Sequence, residues 1–123
     1  MKLNVKSLTK GLEYHGEVEG MRQHYYVLSS PRHYFVMSVS RAKRDAGNFN
    51  LVASATVEKI YRRLRGRRGL TARQVFTGSR NKRMVASPLA ALNVLYVLVA
   101  TGRATIDRRK NARELFFNVL KSA

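Results

Sequence analysis

Residues 69–76 read GLTARQVF and residues 86–106 read ASPLAALNVLYVLVATGRATI, and the order of signals in these two stretches decides the fold expected of the chain. Thr71 and Gln74 have the spacing of a capping box, in which the hydroxyl and the amide each satisfy a backbone N–H at a helix start. Leu70 and Val75 flank them at the positions of a hydrophobic staple, so a short helix is predicted over 72–78. Ser87 followed by Pro88 is a second start, with proline at the first helical position, where its missing N–H costs nothing. The helix it opens should run to Thr101, with Gly102 just past the end.

Upstream, from residue 54, the apolar residues take helical spacing: Val57, Ile60, Tyr61 and Leu64 share one face, while Arg62, Arg63, Arg65, Arg67 and Arg68 lie on or just beyond the other. Ser54 is the expected cap, and Gly66 and Gly69 stop a helix predicted over 55–66. Downstream of Gly102 the period becomes two. Ala104 and Ile106 alternate with Thr105 and Asp107, RRKNAR supplies a polar turn, and Leu115, Phe117 and Val119 alternate with Phe116 and Asn118. The pattern predicts a hairpin with a basic tip. A capping box of Asn111 and Glu114 opening a C-terminal helix is the competing reading.

Helix, short helix, longer helix ending in glycine, then hairpin is the order of a winged helix-turn-helix module. Residues 54–120, through GLTARQVF, ASPLAALNVLYVLVATGRATI and the trailing RKNARELFFNV, resemble the winged helix-turn-helix DNA-binding family and are similar to segments of phage, plasmid and archaeal replication or regulatory proteins. The resemblance implies a fold and a ligand class, not a biological role.

Charge points to the same class of ligand. The chain carries a formal net charge of +17 over 123 residues. Residues 1–51 hold eight Lys and Arg against four Asp and Glu, and residues 52–123 hold sixteen against three, so the excess is +4 in the first part and +13 in the second. Such a one-sided field attracts a polyanion, and the phosphate backbone of a nucleic acid is the expected partner. The seven carboxylates form no catalytic set, and Glu17 with Glu19 reads as an exposed pair without partners. His15, His24 and His33 lack the spacing and neighbours of a metal site, and no phosphate-cradling glycine loop occurs. The reading is a binding protein, not an enzyme, with no metal and no cofactor. The chain has no cysteine, its N-terminus lacks the apolar stretch of a signal peptide, and its longest apolar run, 89–100, is too short to cross a bilayer. A cytoplasmic or nucleoid-associated, intracellular protein is expected.

The predicted third helix departs from the family pattern. Leu92, Leu95, Tyr96 and Val99 form its core stripe, and the opposite face, with Ala90, Asn93, Val94, Val97 and Thr101, carries no charge. Such a face is expected to be covered by protein, either the N-terminal segment or a second chain; the alternative is base reading, with Asn93 paired to adenine. The candidate phosphate contacts lie elsewhere: Arg73 on the second helix, Arg80, Lys82 and Arg83 in the turn after it, and Arg103, Arg108, Arg109, Lys110 and Arg113 around the wing.

In the first part, QHYYVLS and HYFVMSVS predict a hairpin over 23–40 turning at Ser30, Pro31 and Arg32, with an earlier strand at 2–6. Tyr25, Tyr26 and Tyr34 suit a core or dimer surface, or a stacking platform for unpaired bases. The loop SRAKRDAGNFN adds Arg41, Lys43 and Arg44 as phosphate contacts, and Gly47 with Asn48 reads as a turn. The whole is an α+β protein, a β-rich N-terminal extension (1–51) packed on a winged helix (52–123). Its expected function is sequence-tolerant or weakly specific binding of duplex DNA, as a regulatory, architectural or replication-associated protein. The alternatives are a structural RNA-binding protein of a ribosome-like particle and a dimeric accessory subunit that recruits an enzyme to DNA.

Overall fold

Four strands follow one another in an antiparallel meander: β1 (Glu13–Glu19), β2 (His24–Ser29), β3 (His33–Val39) and β4 (Gly47–Ala53). The computed structural model describes residues 12–21, 23–39, 47–78, 85–109 and 112–121, and the strand expected at 2–6 lies outside them. The β2–β3 hairpin turns where expected. The Ser30 N–H donates to the His33 carbonyl at 2.9 Å, and the His33 N–H donates back to Ser30 Oγ at 3.2 Å. The expected turn at Gly47 and Asn48 is corrected by β4, which pairs with β3 from Val39↔Gly47 to His33↔Ala53. A seven-residue ladder outweighs the local preference of a Gly-Asn pair. Sequence reading also passed over β1, whose register shifts at a bulge between Tyr14 and Gly16.

Val18, Val27, Val36 and Val52 point from this sheet into the core. The other face is apolar as well, and its residues stand in two cross-strand rows, Glu17–Tyr26–Met37–Phe49 and Tyr14–Leu28–Phe35–Leu51. Leu28 is buried there, but Tyr14, Phe49 and Leu51 are each more than half exposed.

Helix α1 (Ser54–Leu64) grows directly out of β4. Ser54 is its first residue rather than its cap: Ala53 occupies that position, and the Ser54 N–H donates to the Arg32 carbonyl at 2.9 Å. Helix α2 (Ala72–Gly78) begins with the predicted capping box closed in both directions, Gln74 N–H to Thr71 Oγ1 and Thr71 N–H to Gln74 Oε1, each 3.1 Å. Helix α3 (Pro88–Ala100) is capped by Ser87, whose Oγ accepts from the Ala90 N–H at 3.1 Å. It ends with Gly102 N–H bonded to the Val99 carbonyl and Arg103 N–H to the Leu98 carbonyl, the paired bonds of a Schellman motif.

Helix α3 is the hub of the molecule. It packs against all four strands, both other helices and β5 (Ala104–Asp107). Asn93, Val94, Leu95, Tyr96, Val97 and Leu98 are all buried, which covers every side of the helix. A helix that is apolar all round belongs in the middle of a protein, and the N-terminal sheet supplies part of its cover. Strand β6 (Phe116–Val119) pairs with β5, so the hairpin forms and the C-terminal helix does not. Leu70 adds a one-residue bridge to Phe117, with N–H to carbonyl distances of 2.9 and 2.7 Å in the two directions. The buried side chains of residues 1–51 and 52–123 belong to one cluster. Tyr25 stacks on Tyr96 at 4.4 Å and Tyr96 meets Phe117 edge-on at 6.2 Å, so an aromatic chain crosses from sheet to helix to the β5–β6 hairpin.

Candidate nucleic-acid interface

The amphipathic pattern of α1 turns Val57, Ile60 and Leu64 inward, which leaves its cations in water. Lys59, Arg62 and Arg63 on α1, Arg65, Arg67 and Arg68 after it, and Arg73 on α2 are all exposed. Among the described residues none of these seven stands in an ion pair. Four carboxylates are engaged elsewhere: Glu58 with Arg103 at 2.6 Å, Asp107 with Arg109 at 3.2 Å, Glu19 with Arg108 at 3.9 Å, and Glu17 beside His24 at 2.8 Å. Glu17 and Glu19 are thus partnered, contrary to expectation. The surface of α1 and its following turn therefore carries uncompensated positive charge.

Backbone hydrogen bonds hold that turn in place. Gly66 N–H donates to the Val119 carbonyl, Val119 N–H to the Arg67 carbonyl, and Gly69 N–H to Asn118 Oδ1, at 2.8 to 3.0 Å. Arg65 Nε donates to the Lys121 carbonyl at 2.8 Å. Arg67 and Arg68 thus project from a backbone fastened to β6 rather than from a loose loop. Beside them an open groove of about 840 Å³ has Ile60, Leu64, Leu70, Val75 and Val85 as its apolar lining, with Arg63, Arg67 and Arg68 as its cations.

Comparison of the chain with family models, curated proteins and solved structures gives no match.

The residues singled out from sequence fall into four groups. Arg73 on α2 and Arg113 in the wing are exposed. Arg108 and Arg109 are half exposed but engaged: Arg108 Nη2 donates to the Glu19 carbonyl at 2.8 Å, and Arg109, besides Asp107, lies 3.9 Å over the Phe116 ring. Arg103 and Asn93 are withdrawn from the surface. The Arg103 side chain is only 11% exposed, bonded to Glu58 and Thr101 and set over the Tyr61 ring, and Asn93 is 3% exposed, too deep for a base edge to reach. Arg41, Lys43, Arg44, Arg80, Lys82, Arg83 and Lys110 lie outside the described residues.

Sequence reasoning did not single out Lys59, Arg62, Arg63, Arg65, Arg67, Arg68 or Lys121 as site residues. For the arginines the signal was the dense RRLRGRRG run over 62–69, which read as the solvated side of a helix; Lys121 had no local signal. Tyr25 and Tyr34 are partly buried and pack against the core, as the core reading expects. Among the described residues no group of three or more His, Cys, Asp and Glu stands together for a metal, and no helix is long and apolar enough to cross a membrane.

Proposed function

We propose that the protein binds duplex DNA through its phosphates, with little dependence on base sequence. The observation that carries this reading is the set of seven exposed cations on α1, the turn and α2 that no carboxylate among the described residues pairs with. Arginine dominates the set, and its planar fork suits phosphate oxygens. Tolerance of sequence follows from the burial of the middle of α3: Asn93 to Leu98 offer no side chains to base edges, and the exposed first turn carries only Pro88 and Leu89, so contacts to phosphate remain. The order α1, Leu70 bridge, α2, α3 and the β5–β6 hairpin supports a winged helix as the frame of this surface.

Fluorescence anisotropy with a mixed-sequence duplex across a salt series is the test. If six to seven phosphates are neutralised, log affinity should fall against log salt with a slope of about −6. A slope near zero, or complete displacement of the duplex by an equal concentration of structured RNA, would remove the reading and favour the RNA-binding alternative. A second reading, an accessory subunit that joins another protein to DNA, is favoured by the apolar outer face of the sheet, where Tyr14, Phe49 and Leu51 stand in water. Analytical ultracentrifugation at micromolar concentration separates a self-associating protein from a monomer.

A further inference from the structure

The α1–α2 turn gathers cations that are far apart in the chain, and its two glycines make the gathering possible. Gly66 and Gly69 have φ of +80° and +66°, a conformation other residues adopt only with strain. At each, the space a side chain would occupy lies against a basic residue of the wing. Lys121 Cγ is 3.0 Å from the position of a Cβ on Gly66, and Arg109 Nη2 is 3.1 Å from one on Gly69. The stem of Lys121 thus lies across the turn beside Arg68.

Between the turn and the hairpin is a cleft of about 440 Å³ lined by Gly66, Arg68, Thr105, Asn118 and Lys121. Thr105 and Asn118 are directly opposite across β5 and β6, so both side chains stand on one face of the hairpin. Asn118 Oδ1 already accepts from Gly69 N–H, which leaves its NH2 group as the free part of the amide. The cleft then presents a guanidinium, an ammonium, a hydroxyl and an amide NH2, and among the described residues no carboxylate lines it. Two like charges brought together without a counter-ion repel each other, and a fixed cluster of donors around them matches an anion.

Resting on the phosphate-binding reading above, we infer that this cleft seats one phosphate of the nucleic-acid backbone, held jointly by Arg68 and Lys121. Joint holding makes a numerical claim. Removing both side chains releases one phosphate, so the salt slope for duplex binding should shrink by about 0.9, not by the roughly 1.8 of two independent contacts. The two single substitutions should also be non-additive, because either alone damages the same contact.

The experiment has two arms on the full chain. In the first, Arg68→Ala, Lys121→Ala and the double variant are compared with the parent in the duplex salt series. A loss of about 0.9 in slope with a ten- to hundredfold loss of affinity for the double variant is expected. A loss near 1.8, or none, overturns the joint seat while leaving duplex binding itself standing. In the second arm, the isotope-labelled protein is titrated with inorganic phosphate against chloride at equal ionic strength. Saturable amide shifts at Gly66, Gly69, Thr105 and Asn118 are expected, lost in the double variant and weakened in Thr105→Val. Shifts that spread over all exposed cations without saturating overturn the seat. Should the parent fail to bind duplex yet saturate with phosphate, the DNA reading falls and the phosphate seat remains.

Discussion

Tyr96 sits on α3 between Tyr25 and Phe117, 2% exposed. Burial pushes its phenol far above the usual value, the neighbouring Tyr25 adds to the shift, and Arg108 opposes it weakly. A phenol that holds its proton more tightly when folded than when unfolded contributes stability that is fully present below the unfolded pKa of about 10. That contribution is lost progressively as pH rises above 10, where the unfolded chain ionises and the folded one does not. Tyr96→Phe has no such proton to lose. Denaturant unfolding of both proteins between pH 9 and pH 11 should therefore show the parent losing about 1.4 kcal/mol relative to the variant, one pH unit above the unfolded pKa. A constant difference over that range would mean that the phenol titrates alike in both states, and that the Tyr25–Tyr96 stack opens to water.

At the scale of elements, α3 holds the molecule together because it packs at once on the sheet, on both other helices and on the β5–β6 hairpin. Val97→Lys tests this. Val97 is 0% exposed, so a lysine there puts an unpaired charge into the apolar core, and a loss of several kcal/mol is expected in thermal or denaturant unfolding. An unchanged melting temperature would show that this side of the helix is open to water in solution. The same contrast explains what the sequence reveals. The starts of α2 and α3 are legible because a capping box and a Ser-Pro cap are closed by residues three apart, and the structure closes both. Strands β1 and β4 are not, because neither has a local signal as strong as the Gly-Asn pair that argues for a turn, and both exist only by pairing with β2 and β3. The candidate site divides along the same line. The density of arginine is visible in the sequence, but which arginines are spent on folding is not: Arg103 finds its carboxylate 45 residues away, and Arg108 meets a carbonyl 89 residues away.

On the scale of the molecule, the described cations differ in how free they are. The hairpin cations Arg108 and Arg109 already have protein partners, a carbonyl and carboxylate from β1 for one and Asp107 with the Phe116 ring for the other. To contact a phosphate they must exchange those partners, so their net contribution is reduced. Arg62, Arg63 and Arg67 exchange only water. Replacing these three by Ala should shrink the salt slope by about 2.7 and weaken duplex binding about a hundredfold or more at low salt. Replacing Arg108 and Arg109 together should shift the slope by less than about 1.8 and cost less than the triple change. Exposed, unpaired arginines add little to folding, so the triple variant should melt with the parent. The wing variant should melt slightly lower, having lost the contacts that tie the hairpin to β1. The ordering of the two affinities is the deciding result. If the wing pair weakens binding more than the α1 and turn arginines do, the phosphates lie along the hairpin, and the uncompensated charge on α1 serves solubility rather than DNA.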